Sequence, residues 1–323
     1  MGGYGGELFT DNGRALYKYL SEAQDRYKVF WVINRNSPER GRGPAPILRG
    51  SVKNYLVFLA AEGVFYSHTG SDIAPVLHNF VKNKRTVRMF IEHGIVGLKK
   101  AKLAIDSRST HLGPEADLWV CSSAFEQAIK TEDWGLPRDR GPITGLARYD
   151  ALLPKDSYQR QVLLIPTWRE WLMDCSDDEF VASEFYQSLR SLLGNPDFLA
   201  VLKAREYRLK IYLHFYLHRF ITTFDIPTGL VELLAPETDL LPYILDSSIL
   251  ITDYSSVAWD FFYLDKPVLF FQPDLDTYLR ERGSYLDLRT DLFGPQSFTP
   301  AELASQVDYA IVHHASLVEK YVR

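Results

Sequence analysis

The sequence predicts an α/β protein made of two doubly wound parts, each a parallel sheet covered by helices. Short apolar runs with strand-like composition alternate with helical patterns along the chain, and the alternation restarts after the polar segment "YDALLPKDSYQR" (149–160). The length of 323 residues exceeds the size at which one hydrophobic core usually stops growing. We therefore predict an N-terminal domain over 1–154 and a C-terminal domain over 155–323.

The first half alternates strands with helices from its start. A helix is predicted over 13–24, and another begins after Ser122-Ser123. The predicted strands are "YKVFWVIN" (27–34), the second part of "YLVFLAAEGVFYSHT" (55–69), "RMFIEHG" (88–94), "LWVCSS" (118–123) and the strand-to-loop exit "GPITGLARYD" (141–150).

The second half repeats this pattern. Helices are predicted over 179–193 and 300–319, the second starting with the entry signature Thr299-Pro300-Ala301-Glu302. The predicted strands are "RQVLLIPTWRE" (160–170), "LKIYLHF" (209–215), "ITTF" (221–224), "SSILITDYSS" (247–256) and "KPVLFFQP" (266–273). Ligands of open parallel sheets bind outside the carboxyl ends of the strands, so polar residues just after strands are the candidates for function.

Composition excludes several classes of protein. The net charge of −5 argues against a nucleic-acid binder, whose binding face is usually basic. No run approaches the ~20 apolar residues of a membrane span, and no signal peptide is visible. The only two cysteines, Cys121 and Cys175, are distant in sequence and favour reduced thiols in a cytoplasmic protein. The basic stretch Lys82 to Arg88 is either a solvated face or a contact with the inner membrane surface.

His93 is the first catalytic candidate. It follows the strand in "RMFIEHG" beside Gly94, where a backbone can approach a ligand closely, and its unperturbed pKa suits proton transfer near neutrality. The alternative is a loop histidine satisfied by one hydrogen bond. His214 and His218, in "LKIYLHFYLHRF", are either active-site residues or core histidines.

Two further segments carry candidate anion contacts. Arg169 in "PTWRE" stands just past a strand, where its planar guanidinium can pair with a phosphate. In "TDYSS" (252–256), the hydroxyls of Ser255 and Ser256 and the N–H groups of the next helix are placed to hold a phosphate. The alternative is an ordinary helix cap by Asp253 or Ser255.

Metal binding has little support in the sequence. "DLD" (274–276) is similar to the Asp-x-Asp of some glycosyltransferases, but three residues are a weak match. The sequence contains no Cys/His ligand spacing, Walker loop, Gly-x-Ser-x-Gly elbow or Gly-x-Gly-x-x-Gly. We predict no metal and no cofactor.

Taken together, the motifs resemble the CDP-glycerol glycerophosphotransferase family, the teichoic-acid and capsule polyol-phosphate transferases. The resemblance covers most of residues 4–296. The segments that carry it are "FTDNGRALYKYL", "EHGIVGLKK", "TGLARYD", "LLIPTWRE", "ITDYSSVAWDF" and "KPVLFFQPDLDTYLRERGSYLDLRTDLFGP".

The resemblance implies a GT-B type fold, with two Rossmann-like domains whose parallel sheets face across a cleft. It also implies transfer of glycerol phosphate or ribitol phosphate from CDP-glycerol or CDP-ribitol to an acceptor hydroxyl, with release of CMP. The acceptor would be a polyol-phosphate polymer, a glycan or a lipid-linked molecule. A lipid-linked acceptor implies a cytoplasmic enzyme in peripheral contact with the inner leaflet.

Carried over by position, the family's site implies His93 as general base and His214 as the second active-site histidine. Ser255, Ser256, Asp253 and Arg169 would hold the donor diphosphate. Further substrate contacts would come from Gly94, Lys99, Thr167, Arg148, Asp274 and Arg282.

The chain departs from the family's usual pattern at three places, which leaves the polyol and the acceptor open. Glu92 stands where the family often has Trp, Ala147 where it usually has Pro, and Tyr212-Leu213-His214-Phe215 where it usually has Arg-Pro-His-Pro. Two other functions remain: a nucleotide-sugar glycosyltransferase on the same fold, or a non-catalytic scaffold of a wall or capsule assembly complex.

Overall fold

The structure is a computed structural model of the chain that divides into two compact units. The first unit comprises Met1–Val96 and Ala101–Ala151, and the second comprises Gly97–Lys100 and Leu152–Arg323. The residues described are 1–23, 26–41, 46–80 (backbone alone at 79 and 80), 85–100, 116–214, 217, 219–220, 223–224, 226, 229–236 and 238–321. The boundary after Ala151 lies close to the predicted one after residue 154. The segment Gly97–Lys100 belongs to the second unit although its sequence neighbours belong to the first.

The first unit contains short parallel strands, as predicted from its apolar runs. They are β1 (Trp31–Ile33), β2 (Pro46–Leu48), β3 (Gly63–Tyr66), β4 (Val87–Phe90) and β5 (Leu118–Trp119). One sheet pairs β1 with β2, and a second has the order β3-β4-β5. The chain's first residues run between the two sheets: the Val32 N–H donates to Met1 O at 2.8 Å, and the Gly2 N–H donates to Phe65 O at 3.1 Å. Strand β2 was not predicted.

Four helices are described in the first unit: α1 (Asp11–Glu22), α2 (Val52–Ala60), α3 (Leu77–Phe80) and α4 (Ala124–Glu132). Serine side chains begin two of them. The Ser51 hydroxyl accepts the Asn54 N–H at α2, and the Ser123 hydroxyl accepts the Glu126 N–H at α4. Such caps satisfy backbone donors that have no partner inside the helix.

The second unit is organised around one six-stranded parallel sheet. Its strands are β6 (Gln159–Ile165), β7 (Arg208–Ile211), β8 (Val231–Leu233), β9 (Ser247–Thr252), β10 (Val268–Phe271) and β11 (Gln296–Ser297). Their order is β11-β10-β9-β6-β7-β8, and every pairing is parallel. All six residues of β9 are buried, as expected for a central parallel strand covered on both faces. This confirms the predicted α/β class with parallel sheets.

One strand prediction in this half is wrong. Thr223 and Phe224, from "ITTF" (221–224), lie in a 3₁₀ turn and a bend, while residues 221 and 222 lie outside the described residues. The strand that pairs with β7 is β8, and the Leu209 N–H donates to Leu230 O at 2.9 Å. β-branched residues favour strands only when a partner edge is available, and here the later segment occupies that edge.

The helices described in the second unit are α5 (Asp177–Ala182), α6 (Glu184–Leu193), α7 (Pro196–Ala204), α8 (Leu240–Asp246), α9 (Val257–Tyr263), α10 (Leu275–Glu281), α11 (Pro300–Val312) and α12 (His314–Tyr321). The predicted helix over 179–193 is interrupted at Ser183, and the one over 300–319 is interrupted at His313. The entry signature at Thr299 is confirmed as a capping box with Glu302. Among the described residues, no helix combines the length and apolar character needed to cross a membrane.

The sheets bring the candidate residues to strand ends. In the first unit, His93 follows β4, and the neighbouring strand β3 is followed by Ser67 and His68. In the second unit, β10, β9 and β6 are adjacent, so the loops that follow Phe271, Thr252 and Ile165 leave the same edge of the sheet. Each unit therefore has its own candidate residues at strand ends.

Candidate functional site

His93 has a defined tautomer in the first unit. Its ring is exposed, and its Nδ1 lies 3.1 Å from the carbonyl oxygen of Ser67. A carbonyl oxygen can only accept, so Nδ1 donates, and in the neutral ring the lone pair is on Nε2. This is the form of imidazole that can take a proton from a hydroxyl group.

The backbone that carries His93 is held by α1. The Asn12 side-chain amide donates to Ile91 O at 3.2 Å and to Glu92 O at 2.9 Å. Its carbonyl oxygen accepts the Arg148 N–H at 3.0 Å, and Arg148 Nη1 donates to His93 O at 3.3 Å. Asn12 is fully buried, so its own hydrogen bonds to Ile91 O and Glu92 O are shielded from water. The predicted substrate residue Arg148 therefore holds the His93 loop.

Three residues around this site adopt backbone conformations that side chains disfavour. Tyr4, Asp11 and Glu92 have φ values of 52°, 59° and 59°. Such conformations cost free energy and persist only when the surrounding structure holds them, and they are enriched at functional sites. Asp11 forms a 3.1 Å ion pair with Arg148, and burial raises the pKa of its carboxyl although Arg148 acts in the opposite direction.

Glu92 lies in a buried charge cluster behind His93. Lys130 Nζ lies 2.6 Å from Glu92 Oε1 and 3.3 Å from Glu126 Oε1. The Glu126 carboxylate also accepts the Val96 N–H at 3.2 Å and the Ser122 N–H at 2.6 Å. Burial raises the pKa of Glu92 to about 7; the Lys130 ammonium acts to lower it, and the negative charge of Glu126 adds to the rise. The pKa of Lys130 is raised by the two carboxylates, although its burial acts to lower it.

A second histidine, which the sequence argument missed, contacts His93. The rings of His68 and His93 are stacked, with centroids 4.4 Å apart and an interplanar angle of 17°. His68 follows β3 as His93 follows β4, and the pairing of these strands brings the two together. The signal in the sequence was a histidine after each of two consecutive strands.

In the second unit, "TDYSS" forms the turn between β9 and α9. Ser255 and Ser256 are half-buried, and the Ser255 hydroxyl accepts the Val257 N–H at 3.4 Å. The side chain of Ser256, the residue before α9, makes no capping hydrogen bond. The two hydroxyls therefore stand at the strand end that the sequence predicted.

Arg169, which with Asp253 was predicted to hold the diphosphate, forms ion pairs with Asp253 and with the predicted substrate residue Asp274. Arg169 Nε lies 2.7 Å from Asp274 Oδ2, and Arg169 Nη2 lies 2.9 Å from Asp253 Oδ2. Arg169 is 3% exposed. Burial lowers the pKa of Arg169, but the two carboxylates outweigh that effect and raise it. Through these contacts, Arg169, Asp253 and Asp274 brace the loops that follow β6, β9 and β10. Their contact with the donor stays a prediction.

Hydrogen bonds and aromatic rings complete this brace. Asp253 Oδ1 accepts the Thr167 N–H at 2.8 Å, and the Tyr254 hydroxyl donates to Asp274 Oδ1 at 3.2 Å. The Tyr254 and Tyr278 rings stack with centroids 3.4 Å apart. The hydroxyl of Thr167 is buried without a hydrogen-bonding partner in the described part of the chain, so it is suited to a ligand.

A strap formed by Gly97–Lys100 adds cations to the second unit. The Tyr285 N–H donates to Gly97 O at 3.0 Å, and the Lys100 N–H donates to Gly283 O at 3.0 Å. Arg282 donates to Lys100 O at 2.6 Å and pairs with Glu170. Lys99 is half-buried, and its pKa is lowered by burial and by the positive charge of Arg282. A pair of cations with one depressed pKa favours an anionic ligand.

The predicted second histidine lies in the second unit. His214 follows β7, and its ring stacks on that of Trp168, with centroids 5.5 Å apart. His218 lies outside the described residues. Asp276 of "DLD" pairs with Arg289 while Asp274 pairs with Arg169. Within the described ranges, no group of three or more His, Cys, Asp or Glu residues is arranged to hold a metal ion.

Comparison with known proteins identifies relatives along the whole chain. A sequence model described as CDP-Glycerol:Poly(glycerophosphate) glycerophosphotransferase matches residues 3–322. The chain is 27% identical to the teichoic acid poly(glycerol phosphate) polymerase of Bacillus subtilis (strain 168), over 93% of this chain and 42% of that protein. It is also 27% identical to the teichoic acid glycerol-phosphate transferase of Staphylococcus aureus (strain NCTC 8325 / PS 47), over 90% of this chain and 78% of that protein.

A solved structure has the same fold. A variant of the wall teichoic acid polymerase TagF superposes with a TM-score of 0.75 at 19% identity, covering 99% of this chain and 82% of that one. This likeness confirms the predicted α/β fold of GT-B type. The chain spans less than half the length of the Bacillus subtilis relative.

Proposed function

This chain belongs to the CDP-glycerol:poly(glycerophosphate) glycerophosphotransferase family, and we propose that it transfers a polyol phosphate from a CDP-activated donor to an acceptor hydroxyl, releasing CMP. The polymer being built would be teichoic acid or a capsule. The single observation in the structure that carries this proposal is the His93 ring, exposed and held by Ser67 O with its lone pair on Nε2.

The reaction is a substitution at phosphorus. The acceptor oxygen attacks the phosphorus that bears the polyol, a new P–O bond forms, and the P–O bond to CMP breaks. His93 Nε2 takes the hydroxyl proton, and CMP leaves as an anion. No electron is transferred, so the step needs no redox cofactor. Positioning and electrostatic stabilisation supply most of the catalysis in phosphoryl transfer.

We assign donor binding to the second unit. The hydroxyls of Ser255, Ser256 and Thr167 would donate to the donor's diphosphate, and Lys99 and Arg282 would offset its charge. Two observations support this assignment. The three hydroxyl residues follow strands at one edge of the sheet, and the hydroxyl of Thr167 has no hydrogen-bonding partner in the described part of the chain. The two cations lie on or beside the strap, and the pKa of Lys99 is lowered. His214, stacked on Trp168, would line the same donor site. Arg169, Asp253 and Asp274 would hold its loops in place.

The first unit would then supply the base and meet the acceptor. An acceptor that is a polyol-phosphate polymer is consistent with the family's description, and a lipid-linked acceptor would place the enzyme at the cytoplasmic face of the membrane. Arg88, the last residue of the basic stretch proposed for membrane contact, is buried and donates to His78 O at 3.3 Å. It is therefore not placed to contact a membrane surface. Residues 82–84 of that stretch lie outside the described residues.

A CMP-release assay over a panel of donors tests the proposed function. CDP-glycerol, CDP-ribitol, UDP-glucose and UDP-N-acetylglucosamine would each be supplied with a polyol-phosphate acceptor. We expect nucleotide release from one of the CDP-polyols and transfer of radiolabelled polyol phosphate to the acceptor. Release of UDP from a nucleotide sugar would assign a glycosyltransferase instead. Absence of release from every donor by the folded protein would leave the scaffold function.

A further inference from the structure

The first unit contains a histidine pair, His68 with His93, and only His93 has a role in the proposed function. The two rings are nearly parallel and in contact, at a centroid distance of 4.4 Å. The Tyr4 ring also contacts His68, at a centroid distance of 4.2 Å and an angle of 55°. His68 therefore contacts both Tyr4 and the candidate base.

The hydrogen bonds of the two histidines indicate opposite tautomers. His68 Nδ1 lies 3.5 Å from the Tyr4 N–H nitrogen and 2.9 Å from the Ser67 hydroxyl. Because the Tyr4 N–H can only donate, Nδ1 of His68 is an acceptor, and in the neutral ring the proton is on Nε2. In His93 the proton is on Nδ1, which donates to Ser67 O at 3.1 Å. One residue, Ser67, thus contacts both rings.

Protonation of His68 would conflict with this arrangement. A proton on Nδ1 would face the Tyr4 N–H, and the imidazolium charge would lie in contact with the His93 ring. Two positive charges at this separation repel, so each ring makes protonation of the other less favourable. A neutral His68 instead offers its π face to the His93 imidazolium that forms when the hydroxyl proton is taken.

The charged groups nearby do not remove this coupling. Asp72 accepts the Gly5 N–H at 3.0 Å and the Thr69 N–H at 3.1 Å, and burial raises its pKa. Asp11 pairs with Arg148, whose guanidinium donates to His93 O. Arg49, whose charge acts to lower the pKa of Asp72, donates to Ser71 O, and Glu92 pairs with Lys130. The carboxylate of Asp11 is thus paired with Arg148, and that of Glu92 shares Lys130 with Glu126.

We infer that His68 is a positioning residue for the base: stacked on His93 and in contact with the tilted Tyr4 ring, it fixes the His93 ring and shares its protonation, so that the two imidazoles titrate as one coupled pair. This inference rests on the proposed function for its catalytic meaning. The coupling itself is a property of the first unit and can be measured without turnover.

Histidine-selective ¹⁵N NMR on the full chain is the direct test. In the wild-type protein, we expect two titration midpoints separated by about one pH unit or more, shared by His68 and His93. In His68→Phe, which keeps a stacked ring, His93 should titrate as one site with a midpoint above the lower wild-type value. His78→Phe, a matched substitution in the same unit, should leave both midpoints unchanged. His93 titrating identically in wild type and His68→Phe would overturn the inference.

The pH dependence of turnover gives a second readout. If both rings must be neutral, the acid limb of log(kcat/KM) should approach a slope of about 2 in wild type and about 1 in His68→Phe. His68→Gln, which loses the stacked ring, should lower kcat about 10- to 100-fold by misplacing His93. A wild-type slope in a folded His68→Phe enzyme would contradict the coupling. Coupled midpoints without CMP release from any donor would refute the proposed function and leave the pairing intact.

Discussion

Glu92 and Lys130 form a 2.6 Å ion pair that is almost completely buried, directly before His93 in the chain. Glu92 also has a φ of 59°, a conformation that a non-glycine residue adopts only when its surroundings hold it. The buried pair supplies such a constraint, because a different backbone conformation at Glu92 would break its buried ion pair with Lys130. The backbone before the proposed base His93 is thus held by a buried ion pair.

This pair predicts a pH-dependent stability. The folded-state pKa of Glu92 is about 7, above the model-peptide value of 4.5, so the folded state binds more protons between these values. Stability therefore falls as pH rises through this window. We expect Glu92→Gln to remove this decline, so that the variant gains roughly 1–3 kcal/mol relative to wild type between pH 5 and pH 8. Urea unfolding at several pH values measures it.

The matched control for this experiment is Glu302→Gln. Glu302 caps α11 at the surface, and backbone hydrogen bonds lower its pKa, so its contribution to stability changes only below this pH range and Glu302→Gln should run parallel to wild type from pH 5 to pH 8. If Glu92→Gln and wild type follow parallel curves from pH 5 to pH 8, the buried carboxyl does not titrate there.

Loss of His93 should affect turnover more than donor binding. His93→Gln removes the proton acceptor, and general bases contribute about 10²–10⁴-fold, so kcat should fall by that order. The dissociation constant for the CDP-polyol should stay near the wild-type value, because the donor contacts are assigned to the second unit. Steady-state CMP release and calorimetric donor binding measure the two effects. A folded His93→Gln enzyme with normal turnover is incompatible with the general-base role, and His78→Gln is its control.

Loss of the serine pair should affect donor binding more than turnover. Ser255→Ala with Ser256→Ala removes hydroxyl donors to a phosphate present in both ground and transition states, so the main effect should be a raised KM for the donor. The loss should be about 1–3 kcal/mol, because the backbone N–H groups remain. Donor KM and kcat are compared with those of Ser305→Ala, a surface serine on α11. An unchanged donor KM would move the diphosphate site away from this turn.

Loss of Arg169 should lower the stability of the protein more than it weakens donor binding. Arg169→Met leaves the Asp253 and Asp274 carboxylates buried without their cation, a change that usually costs about 3–5 kcal/mol. The exposed pair of Arg205 and Asp308 offers the control, and Arg205→Met should unfold like wild type. Thermal and urea unfolding measure both. An Arg169→Met protein of normal stability but weak donor binding would instead indicate that Arg169 contacts the donor's phosphate directly.

An added methyl group at Gly97, in the strap of the second unit, should destabilise the protein. A Cβ there would lie 2.8 Å from Trp259 Cζ2, so Gly97→Ala must displace the indole or the strap. We expect a loss of about 1–3 kcal/mol in unfolding free energy, as for overpacked sites. Gly41→Ala, where a Cβ meets no atom within 4 Å, is the matched control. Equal unfolding of the two variants would show that the strap moves aside at no cost.

Local pattern in the sequence was sufficient for the strand ends. The runs before His93 and before Thr252 are apolar and β-rich over several residues, and the polar residues that follow them mark where each strand stops. Composition and alternation are properties of neighbouring residues, so they can be read without the fold. The strand at Val231–Leu233 was missed because three residues at a sheet edge carry too little of that pattern.

The pairing of side chains was decided by the tertiary structure. Arg169 and Asp274 are 105 positions apart, and they meet because β10, β9 and β6 become neighbours; the sequence alone assigned both to the ligand. His68 contacts His93 because β3 pairs with β4 in a register that ends both strands together. Which charge neutralises which depends on distance and burial after folding. The sequence therefore determined which residues stand at the strand ends, and packing decided which of them remain available for chemistry.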